Sequence, residues 1–248
     1  NLSPFSTSIA IGPDGNPVLA YLDDVTDALM VAKCANPACT GVATVTTVDD
    51  PVNLLRFDAA VAVPADGLPI IAYLDYTART LKAAKCLNQA CTGGATISVV
   101  DDPSNNLCCD VGIAVGSDGL PVIAYRDESA GSLKVARCAN ASCTGVATIT
   151  TVDASSNSVG YELSIAIGAD GLPVISHRDI TAGAVKVAKC ANLACTGATS
   201  LATVDDGPGN VGIGSSIAIG ADGLPVIAYH DNTANSLKVA ICGSRSCR

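Results

Sequence analysis

The sequence predicts an all-β chain folded as a five-bladed β-propeller, with four-stranded blades and a fifth blade that lacks its outer strand. Three observations predict it. Landmarks recur every 52 residues, each unit reads as four short strands, and the last unit stops before its fourth.

The period comes first, because a repeat decides the architecture. Asp-Gly occurs at Asp14, Asp66, Asp118, Asp170 and Asp222. The first cysteine of a Cys-x4-Cys pair falls at Cys34, Cys86, Cys138, Cys190 and Cys242. A Tyr/His-x-Asp element ends at Asp23, Asp75, Asp127, Asp179 and Asp231. This gives one domain over 1–248, with blades near 8–59, 60–111, 112–163, 164–215 and 216–248.

The third unit shows the strands. Strand A is read over Gly112 to Val115, strand B over Val122 to Tyr125, strand C over Leu133 to Cys138 and strand D over Ala147 to Val152. Asp118-Gly119 closes the A–B hairpin, since this dipeptide tolerates positive φ. Strand B is continuously apolar, as expected of a strand covered on both faces. Strand A is rich in Ala and Gly, which suits a crowded five-fold axis. An open β-solenoid with 52-residue rungs is the other architecture considered; the Asp-Gly hairpins favour antiparallel blades.

The missing strand follows from counting. The chain stops at Arg248, just after Cys247, and only Asn1 to Thr7 precede the first strand A. Crossing three strand spacings of about 4.8 Å takes four or five extended residues. Too few remain to donate a strand. An open edge is therefore expected at Leu237, Lys238, Val239, Ala240 and Ile241, and such an edge is a template for another chain.

Units such as Ser216-Ile217-Ala218-Ile219-Gly220-Ala221-Asp222-Gly223-Leu224-Pro225-Val226-Ile227-Ala228-Tyr229-His230-Asp231, followed by Leu237-Lys238-Val239-Ala240, resemble the "SIA-DG-P-I-Y-D … L-K-A" blades of secreted bacterial β-propellers. The resemblance covers nearly the whole chain and implies fold far more than function. The cysteine pair between strands C and D departs from that class.

Composition narrows the partners. A net charge of −9 repels phosphate backbones and anionic membrane surfaces. No apolar run reaches the roughly 20 residues of a spanning helix. Nucleic acid and membrane insertion are therefore not expected.

Ten cysteines form five pairs: Cys34 and Cys39, Cys86 and Cys91, Cys138 and Cys143, Cys190 and Cys195, Cys242 and Cys247. Zinc sites usually space ligands more closely and need a second pair or histidines. The chain has two histidines, so the pairs are read as disulfides and the protein as secreted and extracellular. Cys108 and Cys109 break the pattern; a vicinal bridge and an intermolecular one both stay open. Asn140-Ala141-Ser142 and Asn1-Leu2-Ser3 fit the glycan acceptor pattern.

The carboxylates separate by face. Asp23, Asp75, Asp127, Asp179 and Asp231, with Asp49-Asp50, Asp101-Asp102, Asp153 and Asp205-Asp206, gather on the side of the B–C and D–A turns. That face is expected to be acidic. Its aspartates either cap their own turns or attract a cation, with calcium the one cofactor considered; otherwise no cofactor and no metal is expected. Tyr21, Tyr73, Tyr125 and Tyr229 are weighed as sugar-stacking residues and read as core.

Catalytic signals are scattered. Five-bladed propellers include glycosidases whose acid and base project into the axial channel. The two glutamates are Glu128 and Glu162. Glu162 stands where other units have Ser6, Asp58, Asp110 and Gly214, while His177 replaces the repeated Tyr and His230 a variable residue. No triad or metal set is visible along the chain. The expectation is a non-enzymatic extracellular structural protein that partners itself through the open edge, building oligomers or filaments. A multivalent lectin that binds glycans is the alternative, and a glycoside hydrolase is placed last.

Overall fold

The computed structural model describes residues 7–23, 25–50, 55–102, 107–155, 158–207 and 210–248, without the side chains of 55–57 and 108. Among the described residues nineteen strands form five antiparallel sheets. The first sheet holds β1 (Thr7–Ile11), β2 (Pro17–Leu22), β3 (Leu29–Lys33) and β4 (Thr44–Asp49). The second holds β5 (Leu55–Ala62), β6 (Ile70–Asp75), β7 (Thr80–Cys86) and β8 (Ala95–Asp101). The third holds β9 (Leu107–Val115), β10 (Pro121–Asp127), β11 (Ser132–Arg137) and β12 (Thr148–Asp153). The fourth holds β13 (Tyr161–Ile167), β14 (Pro173–Asp179), β15 (Ala184–Lys189) and β16 (Ser200–Asp205). The fifth has only β17 (Val211–Ile219), β18 (Pro225–Asp231) and β19 (Ser236–Ile241). The fold is the expected five-bladed propeller, and β19 is the outer strand of a three-stranded last blade.

Inner strands start earlier than the sequence suggests. β9 and β17 reach nine residues because they run on through the D–A segment. Each inner strand from β5 onward carries a bulge near its start, where two or more residues lose their cross-strand partners.

The A–B hairpin explains the Asp-Gly signature. Gly119 takes φ 79°, a left-handed conformation that suits glycine, and its N–H donates to the Gly116 carbonyl at 2.9 Å. The turn aspartate is then tied across to strand C: Asp14 to Lys33 at 2.8 Å, Asp66 to Lys85 at 2.8 Å, Asp170 to Lys189 at 2.7 Å, and Asp118 to Arg137. In the fifth blade Ile241 stands where these cations do.

The core lies between blades. Four hydrophobic clusters each join one sheet to the next, for example Ile70, Ala72 and Leu81 of the second blade with Ile123 and Tyr125 of the third. β6, β10 and β14 are buried along their whole length, because they are covered on both faces. β18 and β19 alternate instead, and Leu237 is 75% exposed where its counterpart Leu133 is fully buried. At the other end Ile9 is 62% exposed.

Polar ties cross each junction as well. Tyr73, Tyr125 and Tyr229 donate from their hydroxyls to Asp49, Asp101 and Asp205 of the preceding blade at 2.6, 2.6 and 2.7 Å. At the junction of the third and fourth blades His177 takes the tyrosine's place and stands 3.4 Å from Asp153.

The Cys-x4-Cys loops are all closed by disulfides, 34–39, 86–91, 138–143, 190–195 and 242–247. The second cysteine of each is left-handed, with φ between 51° and 59°. An asparagine organises the loop: Asn140 donates to Thr144 Oγ1 at 3.0 Å and accepts from the Ser142 and Thr144 N–H groups. Cys109 is also in a disulfide; the Cys108 side chain lies outside the described residues, as do Asn1-Leu2-Ser3 and Ser6. No described helix is long and apolar enough to cross a membrane.

Candidate functional site

The inner strands β1, β5, β9, β13 and β17 surround an axial channel with a cavity of about 380 Å³. Its wall mixes small and polar residues, among them Ser8, Asp58, Ser164 and Ser215, with apolar ones such as Ile113 and Ile165. Serine hydroxyls serve as joints here. Ser8 Oγ accepts the Val61 N–H at 3.0 Å and Ser164 Oγ accepts the Ile217 N–H at 3.3 Å.

Asp58, Asp110 and Glu162 occupy one repeat position on three successive inner strands, each inside a bulge. Asp58 lines the cavity; Asp110 and Glu162 each precede a lining residue, Val111 and Leu163. A bulge frees a side chain from strict alternation and re-aims it. Glu162 carries the cost in its backbone, at φ 49°. A non-glycine residue held there costs on the order of 1–3 kcal/mol and is over-represented at functional sites. The neighbouring Gly160, at φ 86°, is required because a Cβ would meet the Leu133 backbone at 3.1 to 3.3 Å.

Each carboxylate is held by the next blade. Val111 N–H donates to Asp58 at 3.0 Å, Gly214 N–H to Glu162 at 2.9 Å, and the Glu162 N–H to Asp110. Burial, then repulsion from Asp58 and Glu162, pushes the Asp110 carboxyl up to about 8, against the pull of the Glu162 N–H and of Arg126. Asp110 thus holds its proton near neutral pH, between two further carboxylates.

Arg126, Glu128 and Tyr161 stand beside this set. The guanidinium carbon of Arg126 lies 3.6 Å from the Tyr161 ring centre, and Nε donates to Glu128 at 2.8 Å. Sequence reasoning missed Arg126 and Tyr161. Their signal was present: Tyr161 is the one tyrosine at its repeat position, and Arg126 stands where the first two blades have Leu22 and Leu74.

Other expected residues sit elsewhere. Asp23, Asp75, Asp127, Asp179 and Asp231 each accept backbone N–H groups of their own turn at 2.8 to 3.0 Å. Lys82, Lys134 and Lys238 pair with Asp75, Asp127 and Asp231, while Lys186 reaches Asp153 at 2.6 Å and Asp179 at 3.9 Å, so the face is less acidic than its aspartates alone suggest. Tyr73, Tyr125 and Tyr229 are buried on their aspartates, away from the channel. Burial lowers His177 to about 4, and His230 Nε2 lies 3.3 Å from Asn235. Among the described residues no group of three or more His, Cys, Asp or Glu is placed to hold a metal ion.

No family model matches the chain, and no curated protein matches it. Solved structures do match. A protein of unknown function from Dyadobacter fermentans matches with TM-score 0.67 and 11% identity, over 97% of this chain and 78% of its own. An α-L-arabinofuranosidase from Lactobacillus brevis matches with TM-score 0.56 and 13% identity, over 97% and 92%. A GH43 β-xylosidase/α-arabinofuranosidase from a compost metagenome, in complex with xylotriose, matches with TM-score 0.54 and 10% identity, over 97% and 93%. At such identities the likeness shows the fold, a propeller of repeated β-blades.

The expectation of a non-enzymatic, self-assembling structural protein is corrected at this point. It rested on the open edge of the last blade and on finding no triad or metal set along the chain. The fold brings Asp58, Asp110 and Glu162 to one end of the axial channel, although they lie 52 residues apart in sequence. Glycosidases also share this fold over nearly the whole chain. Together these findings overturn the expectation of a non-enzymatic assembly protein.

Proposed function

We propose that this chain is a carbohydrate-active propeller that hydrolyses glycosidic bonds at the mouth of its axial channel. The observation that carries the reading is the trio Asp58, Asp110 and Glu162 on successive bulges, where burial and its two neighbours raise the middle carboxyl. Glycoside hydrolysis needs one carboxylic acid to protonate the leaving oxygen and one carboxylate to activate water or attack the sugar. Environments that push neighbouring carboxyls apart in pKa assign those roles. Asp110 is the acid in this reading, with Asp58 and Glu162 as the flanking carboxylates. The arabinofuranosidase and xylosidase with this fold make pentosides the first substrates to try. Five disulfides support a secreted, extracellular setting, where such polymers are met.

The test is turnover of aryl arabinofuranosides, xylosides and galactosides and of matching oligosaccharides. Asp110→Asn and Glu162→Gln are each expected to lower kcat/KM by about 10²–10⁴-fold. Activity should fall as pH rises through about 8, because the acid must be protonated. Unaltered turnover in both variants would discard the assignment.

Binding without hydrolysis is the second reading. It is favoured by the backbone N–H that each carboxylate accepts from the next blade, a tie equally suited to a fixed binding rim. Glycan retention on an array without turnover would select it, and neither retention nor turnover would remove both.

A further inference from the structure

A cluster that occurs once in the chain stands behind the carboxylates. Arg126 on β10 is 1% exposed. Its Nε donates to Glu128 at 2.8 Å, its Nη1 donates to the Val159 carbonyl, and its guanidinium lies flat on Tyr161 at 3.6 Å. The Tyr161 hydroxyl reaches the Glu128 carboxylate at 3.3 and 3.4 Å. Arginine, glutamate, tyrosine and a carbonyl therefore close a loop between the third and fourth blades.

The fold does not need this charge. The same repeat position holds Leu22 and Leu74 in the first two blades. Arg178 in the fourth has Ile213 where Tyr161 would be and reaches Asn210 instead. A buried guanidinium is costly unless its donors are satisfied, and this one is used at a particular place. Tyr161 immediately precedes Glu162. Across the third sheet, Tyr125 pairs with Val111 and Asp127 with Leu107, so Arg126 faces the bulge that holds Asp110. One side chain thus contacts the residue before Glu162, faces the bulge of Asp110, and has almost no exposed surface to offer a sugar.

We infer that Arg126 is a positioning residue, fixing the Glu162 bulge through Tyr161 and Glu128 and holding it in register with Asp110. The inference rests on the hydrolase reading of the channel mouth. Three charged groups face Asp110: Asp58 from β5, Glu162 from β13 and Arg126 from β10. The two carboxylates raise its protonation midpoint and Arg126 lowers it.

Three variants test this: Arg126→Leu, Arg126→Lys and Tyr161→Leu. The Asp110 midpoint is read from the carboxyl carbon signal of labelled aspartate, assigned with Asp110→Asn, and turnover is read on aryl glycosides. Arg126→Leu is expected to move the midpoint upward and to lower kcat about 100-fold, the scale of a small misplacement, with KM little changed. Arg126→Lys keeps the charge and loses the fork, so it restores the midpoint and leaves kcat depressed. Tyr161→Leu lowers kcat at an unchanged midpoint. An unmoved midpoint with full turnover in Arg126→Leu overturns the inference and leaves the hydrolase reading standing. Should Arg126→Leu not fold, wild-type kcat in both other variants overturns it. Wild-type protein that cleaves no glycoside, with the midpoint displaced in Arg126→Leu, overturns the hydrolase reading and upholds the hold of Arg126 on Asp110.

Discussion

Asp110 and His177 are both held neutral near pH 7 by burial, and they bend stability in opposite directions with pH. Asp110 binds its proton more tightly folded than unfolded, rising from 3.8 to about 8. Between those values the native state holds more protons, so stability falls as pH rises. Asp110→Asn should flatten that slope and stabilise the protein at pH 8 by on the order of 3 kcal/mol, discounted for coupling to its neighbours. Urea melts at pH 5 and pH 8 check it; an unchanged slope would show that Asp110 does not carry it. His177 runs the other way, from 6.5 unfolded to about 4 folded. Its contribution is present above 6.5 and is lost as pH falls toward 4. His177→Tyr restores the residue that donates to the aspartate at the other junctions, and it should remove an acid-side loss of up to about 3 kcal/mol. Melts of both proteins at pH 7 and pH 4 measure it. Neither shift was legible in the sequence. The departures at Glu162 and His177 were visible, but whether a departure faces the axis or a junction depends on bulges that no local pattern announces. Arg126 was hidden for the same reason, since a charged residue in a strand reads as an exposed face until both faces are found covered.

The strands were the most legible elements, because Asp-Gly, Tyr-x-Asp and the cysteine pairs mark turns with residues that have few other uses. The long inner strands were not, since Gly and small polar residues at their starts read as loop. The Tyr–Asp ties were legible in principle: Tyr73 and Asp49, Tyr125 and Asp101, and Tyr229 and Asp205 all stand 24 residues apart. The disulfide loops look equivalent in sequence and differ in the structure. Cys91, Cys143 and Cys195 are buried beside the preceding blade's outer strand, where Thr46 and Thr150 donate to the Ala90 and Ala194 carbonyls at 3.0 and 2.9 Å. Cys39 belongs to the first blade and is exposed. Attack by a thiolate requires access to sulfur. Limited reduction followed by alkylation and mass mapping should therefore label Cys39 before Cys91, Cys143 or Cys195. Equal labelling would mean that the loops open together and that burial does not protect them.

At the scale of the molecule, identical repeat positions should differ in energy according to their place around the axis. The blade count and the three strands of the last sheet could be read from a ruler laid along the sequence, since the landmarks keep their 52-residue spacing throughout. The burial of each face could not, because it depends on which blades press together. Leu81, Leu133 and Leu237 are one position in three blades. Leu81 and Leu133 are fully buried in junction cores, whereas Leu237 is 75% exposed on the outer face of the last blade. Emptying a packed leucine site costs about 2–5 kcal/mol through lost transfer energy and the cavity left behind. An exposed site away from special features stays within about 0.5 kcal/mol. Leu133→Ala should therefore lower the urea midpoint clearly, and Leu237→Ala should leave it almost unchanged. A Leu237→Ala loss as large as that of Leu133→Ala would mean that in solution the last blade's outer face is packed against something of its own, and that the exposure seen at Ile9 and Leu237 is not the state of the working molecule.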